Sequence, residues 1–153
     1  MPSPKGRARS KARSAARLAA VQALYQREME GTAIPALLHE FHHHRLGATI
    51  EEVEYADADA TFFDDIVKGV DARREEIDRL IAGKLSDHWS LDRLDKPMRQ
   101  ILRAGTYELL ARPDVPAAAV ITEYIDVAHA FYDRRETKFV NGLLDAMAKD
   151  VRA

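Results

Sequence analysis

From Arg7 onward the apolar residues recur at helical spacing, and no stretch alternates apolar and polar residues as a half-buried strand would. Arg7 to Glu30, rich in Ala, Leu, Arg, Gln and Glu, predicts one long helix that Gly31 stops. A shorter helix is expected from Pro35 to about Arg45, with Leu37, Leu38 and Phe41 on one face and Gly47 at its end. Residues 48–60 hold Glu51, Glu52, Glu54, Asp57 and Asp59 without a clear period, which predicts an acidic loop or a frayed helical start. From Phe62, apolar residues at 62, 63, 66, 67, 70, 77, 80 and 81 keep helical phase through one long helix, with Asp57 or Asp59 placed to cap it. A linker around Trp89 follows. Asp95 and Pro97 then start a helix carrying Met98, Ile101, Leu102, Leu109 and Leu110, which Arg112-Pro113 ends. Asp114 and Pro116 repeat that start signal for a helix bearing Val120, Ile121, Tyr124, Ile125, Ala128 and Phe131. The last helix carries Phe139, Val140, Leu143, Leu144, Met147 and Val151. Asn141-Gly142 resembles a tight turn, but the flanking apolar residues stay in phase, so the pair belongs inside this helix, where close approach of a neighbouring helix is one reason for a glycine. Short connections favour antiparallel neighbours, so the expected fold class is all-α, a helical bundle.

At 153 residues the chain suits one domain that buries roughly 70% of the surface its unfolded form exposes. Residues 1–6, with Pro2, Pro4 and Gly6, are expected to be a disordered basic N-terminus, and residues 7–150 the helical domain. Cysteine is absent, which excludes disulfides, thiolate metal sites and cysteine nucleophiles. No apolar run approaches the ~20 residues of a membrane span, and no signal-peptide core follows the basic start, so a soluble, cytoplasmic protein without membrane partners is expected. Net charge is −2, but its distribution is uneven. Residues 1–17 hold Lys5, Arg7, Arg9, Lys11, Arg13 and Arg17 and no acid; the rest of the chain has 17 basic residues, the other members of a total of 23, against 25 acidic ones. A basic arm on an acidic body is the pattern of a protein that offers one end to a polyanion.

The sharpest motif misleads. His39-Glu40-Phe41-His42-His43 satisfies H-E-x-x-H, which on a helix brings two imidazoles to one zinc with a Glu as general base. No third ligand follows in frame, since the extended form needs Gly where Leu46 stands and Gly47 comes one place late. No phosphate-binding glycine loop, nucleophile elbow or triad pattern occurs either, so no enzyme, cofactor or metal site is expected. The basic arm is the better candidate. Arg9, Arg13 and Arg17 recur every four residues and form a cationic stripe able to track phosphates, although an acid-free, Arg- and Ser-rich start also resembles an organellar transit peptide. Selecting a sequence needs base stacking or edge contacts as well. Phe131, Tyr132, Arg134, Arg135, Lys138 and Phe139 interleave aromatics with cations and meet that need, with Phe131 and Phe139 by default core residues.

Several strings, in order along the chain, carry a family resemblance: Ala20-Val21-Gln22-Ala23-Leu24-Tyr25, Ile101-Leu102-Arg103 with Tyr107-Glu108-Leu109, Asp114-Val115-Pro116, and Lys138-Phe139-Val140-Asn141-Gly142 with Leu144-Asp145. From about Arg9 to Asp145 the chain resembles the bacterial NusB family of antitermination factors. The resemblance implies an all-α fold of two packed antiparallel helical bundles that binds boxA RNA jointly with NusE, a small-subunit ribosomal protein, within the RNA polymerase antitermination complex of ribosomal RNA operons. It implies RNA contact at Arg9, Arg13, Arg17, Phe131, Lys138 and Phe139, and NusE contact at Tyr25. A basic ribosomal partner also suits the acidic body. The resemblance leaves both a monomer and a homodimer that hides its binding face open.

Thr122 stands where the family pattern suggests Asn, and Asp133-Arg134-Arg135-Glu136 replaces a more acidic approach to Lys138, a change that strengthens phosphate contact or alters RNA preference. The pattern is less defined from Pro35 to Asp59, so the histidines inherit no role. A NusB-like domain also precedes the catalytic domain of some ribosomal-RNA cytosine methyltransferases; that reading requires the chain to be a fragment, because no cofactor-binding sheet fits before Ala153. A zinc hydrolase ranks third.

Overall fold

A computed structural model describes residues 4–44, 49–50, 53–54, 59–86 and 88–152. Among the described residues the regular structure is helical apart from one two-residue strand pair, and the chain divides into two compact units, residues 1–68 and 69–153.

In the first unit, α1 (Pro4–Glu30) is followed by α2 (Ile34–His44). Helix α1 begins before the expected Arg7, so Pro4 to Gly6 are helical, while the rest of the expected disordered start lies outside the described residues. Gly31 ends α1 with φ +69°, a left-handed conformation that glycine adopts without the clash a Cβ brings, and its N–H bonds to the Arg27 carbonyl. The expected end of α2 at Arg45, with Gly47, lies outside the described residues, as do Glu51, Glu52 and Asp57 of the acidic stretch. The sequence predicts no strand there, yet β1 (Thr49–Ile50) and β2 (Val53–Glu54) pair antiparallel, Thr49 opposite Glu54 and Ile50 opposite Val53. Helix α3 (Ala60–Ala72) starts at Asp59, whose Oδ1 accepts the Phe62 N–H at 2.9 Å, the side-chain cap expected of an N-terminal Asp. The Asp59 N–H in turn donates to the Ala12 carbonyl, tying this start to α1. The unit's interior holds Ala16, Ala20, Val21, Leu24, Leu37 and Ile66, with Phe41 stacked on Phe63 at 5.5 Å between centroids.

The helix expected to run unbroken from Phe62 past Ile81 is interrupted at Arg73, whose φ of −110° and ψ of 20° separate α3 from α4 (Arg74–Ala82). Residues 71–76 carry no large apolar side chain to hold the helix against a core, and Arg73 Nε bonds Glu76 at 2.7 Å across the break. Hydrogen bonds from the Arg73 N–H to Gly69 and from the Ile77 N–H to Arg73 span the interruption. The helical phase therefore survives a break that periodicity does not register.

A 3-10 turn (Leu91–Arg93) leads into α5 (Lys96–Ala111), α6 (Ala117–His129) and α7 (Arg134–Val151), which pack on one another and complete the second unit. Ile101, Leu102, Val120, Tyr124, Val140, Leu144 and Met147 are fully buried among them. Gly142 does lie inside α7, but an added Cβ there would meet nothing within 4 Å, so close packing does not explain it.

Candidate nucleic-acid interface

Helix α1 carries Arg9, Arg13 and Arg17 on one side, but the start of α3 takes up much of that face. Arg9 is exposed. The side chain of Arg13 retains 27% exposure, its Nε lies 3.8 Å from Asp59 Oδ2, and its guanidinium sits 4.6 Å above the Phe62 ring. Arg17 is only 3% exposed, with its guanidinium 4.9 Å from the same ring. Asp59 and Phe62 thus bring Arg13 and Arg17 together by ion pairing and cation–π attraction, and the expected stripe runs into the interior. Arg7, Arg9 and Lys11 remain as exposed cations on the N-terminal half of α1. Farther along the same helix, Tyr25 is 38% and Met29 50% exposed, an apolar pair one turn apart.

Phe131, Lys138 and Phe139 belong to the second unit, so they are described apart from the arginines. The default core placement of the two phenylalanines fails: Phe131 is 39% and Phe139 38% exposed, although both continue apolar helical spacing. Lys138, Arg134 and Arg135 are exposed as well. All three lie on the first turns of α7, where the unpaired amides of a helix N-terminus add a partial positive charge. Tyr132 packs at 6.3 Å from Phe131 between centroids and donates its hydroxyl to Asp95 Oδ2 at 2.5 Å, joining the α6–α7 connection to the start of α5. Burial, and then this bond to a carboxylate, push the phenol well above its ordinary range.

Beside Phe139 lies a cavity of about 390 Å³ with Trp89, Leu94, Met98, Arg93, Arg135 and Glu136 in its lining. Of these, Trp89 has only the character of a linker residue in the sequence, and no sequence signal marks Arg93. Their proximity follows from the packing of residues 89–98 against the start of α7, two segments whose sequence separation hides the contact.

Within the histidine motif the structure keeps His39 and His43 side by side but engages the Glu40 carboxylate elsewhere, and the neighbouring His42, which is not a motif position, pairs with α3. Glu40 Oε2 accepts from Gln26 Nε2 at 2.9 Å, His42 Nε2 lies 2.6 Å from Asp64 Oδ1, and the rings of His39 and His43 sit 4.3 Å apart. Among the described residues no three His, Asp or Glu side chains are grouped to hold a metal ion, and no helix is long and apolar enough to cross a membrane.

A family model described as the NusB family matches residues 14–149. The chain belongs to the NusB family. A relative from Novosphingobium aromaticivorans, named transcription antitermination protein NusB, is 70% identical over 142 residues, covering 93% of this chain and 96% of that protein. Among solved structures, NusB of T. maritima superposes with a TM-score of 0.74 at 31% identity, over 98% of this chain and 94% of the other. A crystal structure of antitermination factors NusB and NusE in complex with dsRNA matches with a TM-score of 0.75 at 26% identity, over 91% and 97% of the two chains. The strings that carry the resemblance take ordinary places in this NusB-family fold: Val21 and Leu24 in the core of the first unit, Ile101, Leu102 and Leu109 along α5, and on α7 the buried Val140 and Leu144 together with the exposed Lys138 and Phe139.

Proposed function

We propose that this NusB-family protein acts in the cytoplasm as an RNA-binding antitermination factor: it binds a boxA-type single-stranded RNA together with NusE, joins the RNA polymerase antitermination complex and supports transcription of ribosomal RNA operons, with no bond chemistry of its own. The observation that carries the RNA reading is the exposure of Phe131 and Phe139 beside Arg134, Arg135 and Lys138 at the start of α7. Exposed rings offer stacking platforms to unpaired bases and the cations neutralise phosphates, the combination that single-stranded RNA requires. Arg9 and the exposed edge of Arg13 supply phosphate contacts from α1, while Arg17 supports that face from beneath. The Tyr25–Met29 pair on an acidic body offers a docking surface for basic NusE, and a homodimer in the free state would hide the same surface.

The test is fluorescence anisotropy of a boxA RNA and a scrambled control, with and without NusE, across a salt series. NusE should strengthen binding to boxA more than to the control. Arg9→Ala should lower affinity and reduce the salt slope by about one unit, and Lys138→Ala should do the same. Equal, NusE-independent binding to both RNAs refutes the proposal.

A further inference from the structure

The cavity beside Phe139 combines features that a phosphate-tracking surface does not need. Its volume of about 390 Å³ is at the small end of ligand pockets, room for one ring system rather than an extended peptide. Leu94 and Met98 make it apolar, and two aromatic side chains with substantial exposure, Trp89 at 55% and Phe139 at 38%, contribute stacking surface. Arg93 and Arg135 are exposed cations on the same lining. Asp95 also lines the cavity, with its Oδ2 engaged by the Tyr132 hydroxyl, which leaves Glu136 as the carboxylate out of place on a face that meets a polyanion. Glu136 stands among these groups with its Oε2 enclosed and without a hydrogen-bond partner among the described residues. A carboxylate only accepts hydrogen bonds, and an enclosed oxygen left unbonded is costly. A ligand that brings an N–H donor into the cavity therefore relieves a cost already present, and the soft terminal torsion of Glu lets the carboxylate turn to meet it.

We propose that this cavity holds a single unpaired base of the bound RNA, stacked on the Trp89 and Phe139 rings, with the exocyclic amino group on its pairing edge donating to Glu136. The proposal rests on the RNA-binding reading above and adds a base preference to it. Cytosine, adenine and guanine carry such an amino group. Uracil does not: its one N–H on that edge lies between two carbonyl oxygens that repel a carboxylate. Arg93 and Arg135 bind the phosphates flanking the base, which offsets the charges of Glu136 and Asp95 and ties the site to RNA rather than to a free base.

Trp89 is the only tryptophan in the chain, so its emission reports occupancy directly. The experiment titrates the full chain with the RNA hexamers C6 and U6, following Trp89 fluorescence for the cavity and the anisotropy of end-labelled RNA for total binding. C6 should quench Trp89 to saturation at about tenfold lower concentration than U6, the discrimination typical of one well-placed base-edge contact. Glu136→Gln, which presents an amide donor as well as an acceptor, should bring the two hexamers together without abolishing binding. Phe139→Leu should weaken both alike. CMP should quench only at far higher concentration than C6, and equal potency would assign the cavity to a free nucleotide and overturn the proposal. Binding by anisotropy with Trp89 unchanged, or with C6 and U6 equal in the wild type, overturns the base pocket and leaves the RNA reading standing. No anisotropy change with either hexamer or with boxA RNA overturns both. Thermal melts of each variant establish that the comparison is among folded proteins.

Discussion

Arg152 provides a strict test of what holds the second unit together. Its guanidinium donates to four backbone carbonyls: Nε to Leu109 at 2.9 Å, one terminal nitrogen to Val115 at 2.6 Å, and the other to Glu108 at 3.1 Å and Arg112 at 2.8 Å. These carbonyls lie at the C-terminal end of α5 and in the connection to α6, where the helix dipole favours a cation; those of Glu108 and Arg112 also accept the Arg112 and Val115 N–H groups, so Arg152 is a second donor to them. Hydrogen bonds from a charged donor contribute ~1.5–3 kcal/mol each, but four bonds from one group are not additive. Ordering the long side chain costs about 2 kcal/mol, and partial exposure lets water replace some of the bonds. Arg152→Ala should therefore destabilise the protein by about 3 kcal/mol, a Tm decrease of about 10 °C at this chain length. Arg152→Lys keeps the charge but not the planar fork and should recover less than half of the loss. Urea unfolding followed by circular dichroism, with the slope checked for constancy, measures both. An Ala variant within about 0.5 kcal/mol of wild type, near the limit for an ordinary surface substitution, or a Lys variant as stable as wild type, would refute the capping argument.

Two helical glycines should respond to alanine with opposite signs. At Gly142 an added methyl meets open space, so Gly142→Ala should raise stability by about 1 kcal/mol in the same unfolding assay. At Gly69 the new Cβ would overlap the ring of buried Tyr107, so Gly69→Ala should cost ~1–3 kcal/mol despite better helix propensity, and Tyr107→Leu should reduce that cost. Tyr132 gives a pH prediction. Its phenol is raised above the ordinary value of 10.0, first by burial and then by the bond to Asp95, so the folded state holds this proton more tightly than the unfolded chain. Its contribution to stability is then complete below about pH 10 and is lost as pH rises through the folded value. In an ultraviolet titration the phenolate signal missing from Tyr132→Phe should appear only above the ordinary tyrosine range, and Asp95→Asn should move it down; titration of Tyr132 at its ordinary value would contradict the assignment.

What the sequence made legible was local, and what it hid was the meeting of distant segments. Helices could be read because their apolar residues recur at one period, and Gly31 and Asp59 act through the backbone within three or four residues of themselves. The break at Arg73 escaped because Val70 and Ile77 lie seven residues apart, an interval that keeps the apolar face aligned with or without an interruption. Apolar spacing likewise suggested that Phe131 and Phe139 fill a core, but it specifies only a face, and both are partly exposed where α6 ends and α7 begins. The arginines show the same limit from the polar side. Spacing by four placed Arg9, Arg13 and Arg17 on one face correctly, and charge alone suggested that the whole face meets solvent. Asp59 and Phe62, more than forty residues away in sequence, occupy its far end, so the charge density there helps hold α3 against α1. An arginine stripe therefore predicts phosphate binding only over the length that no neighbouring helix claims, and in this chain that length ends near Arg13.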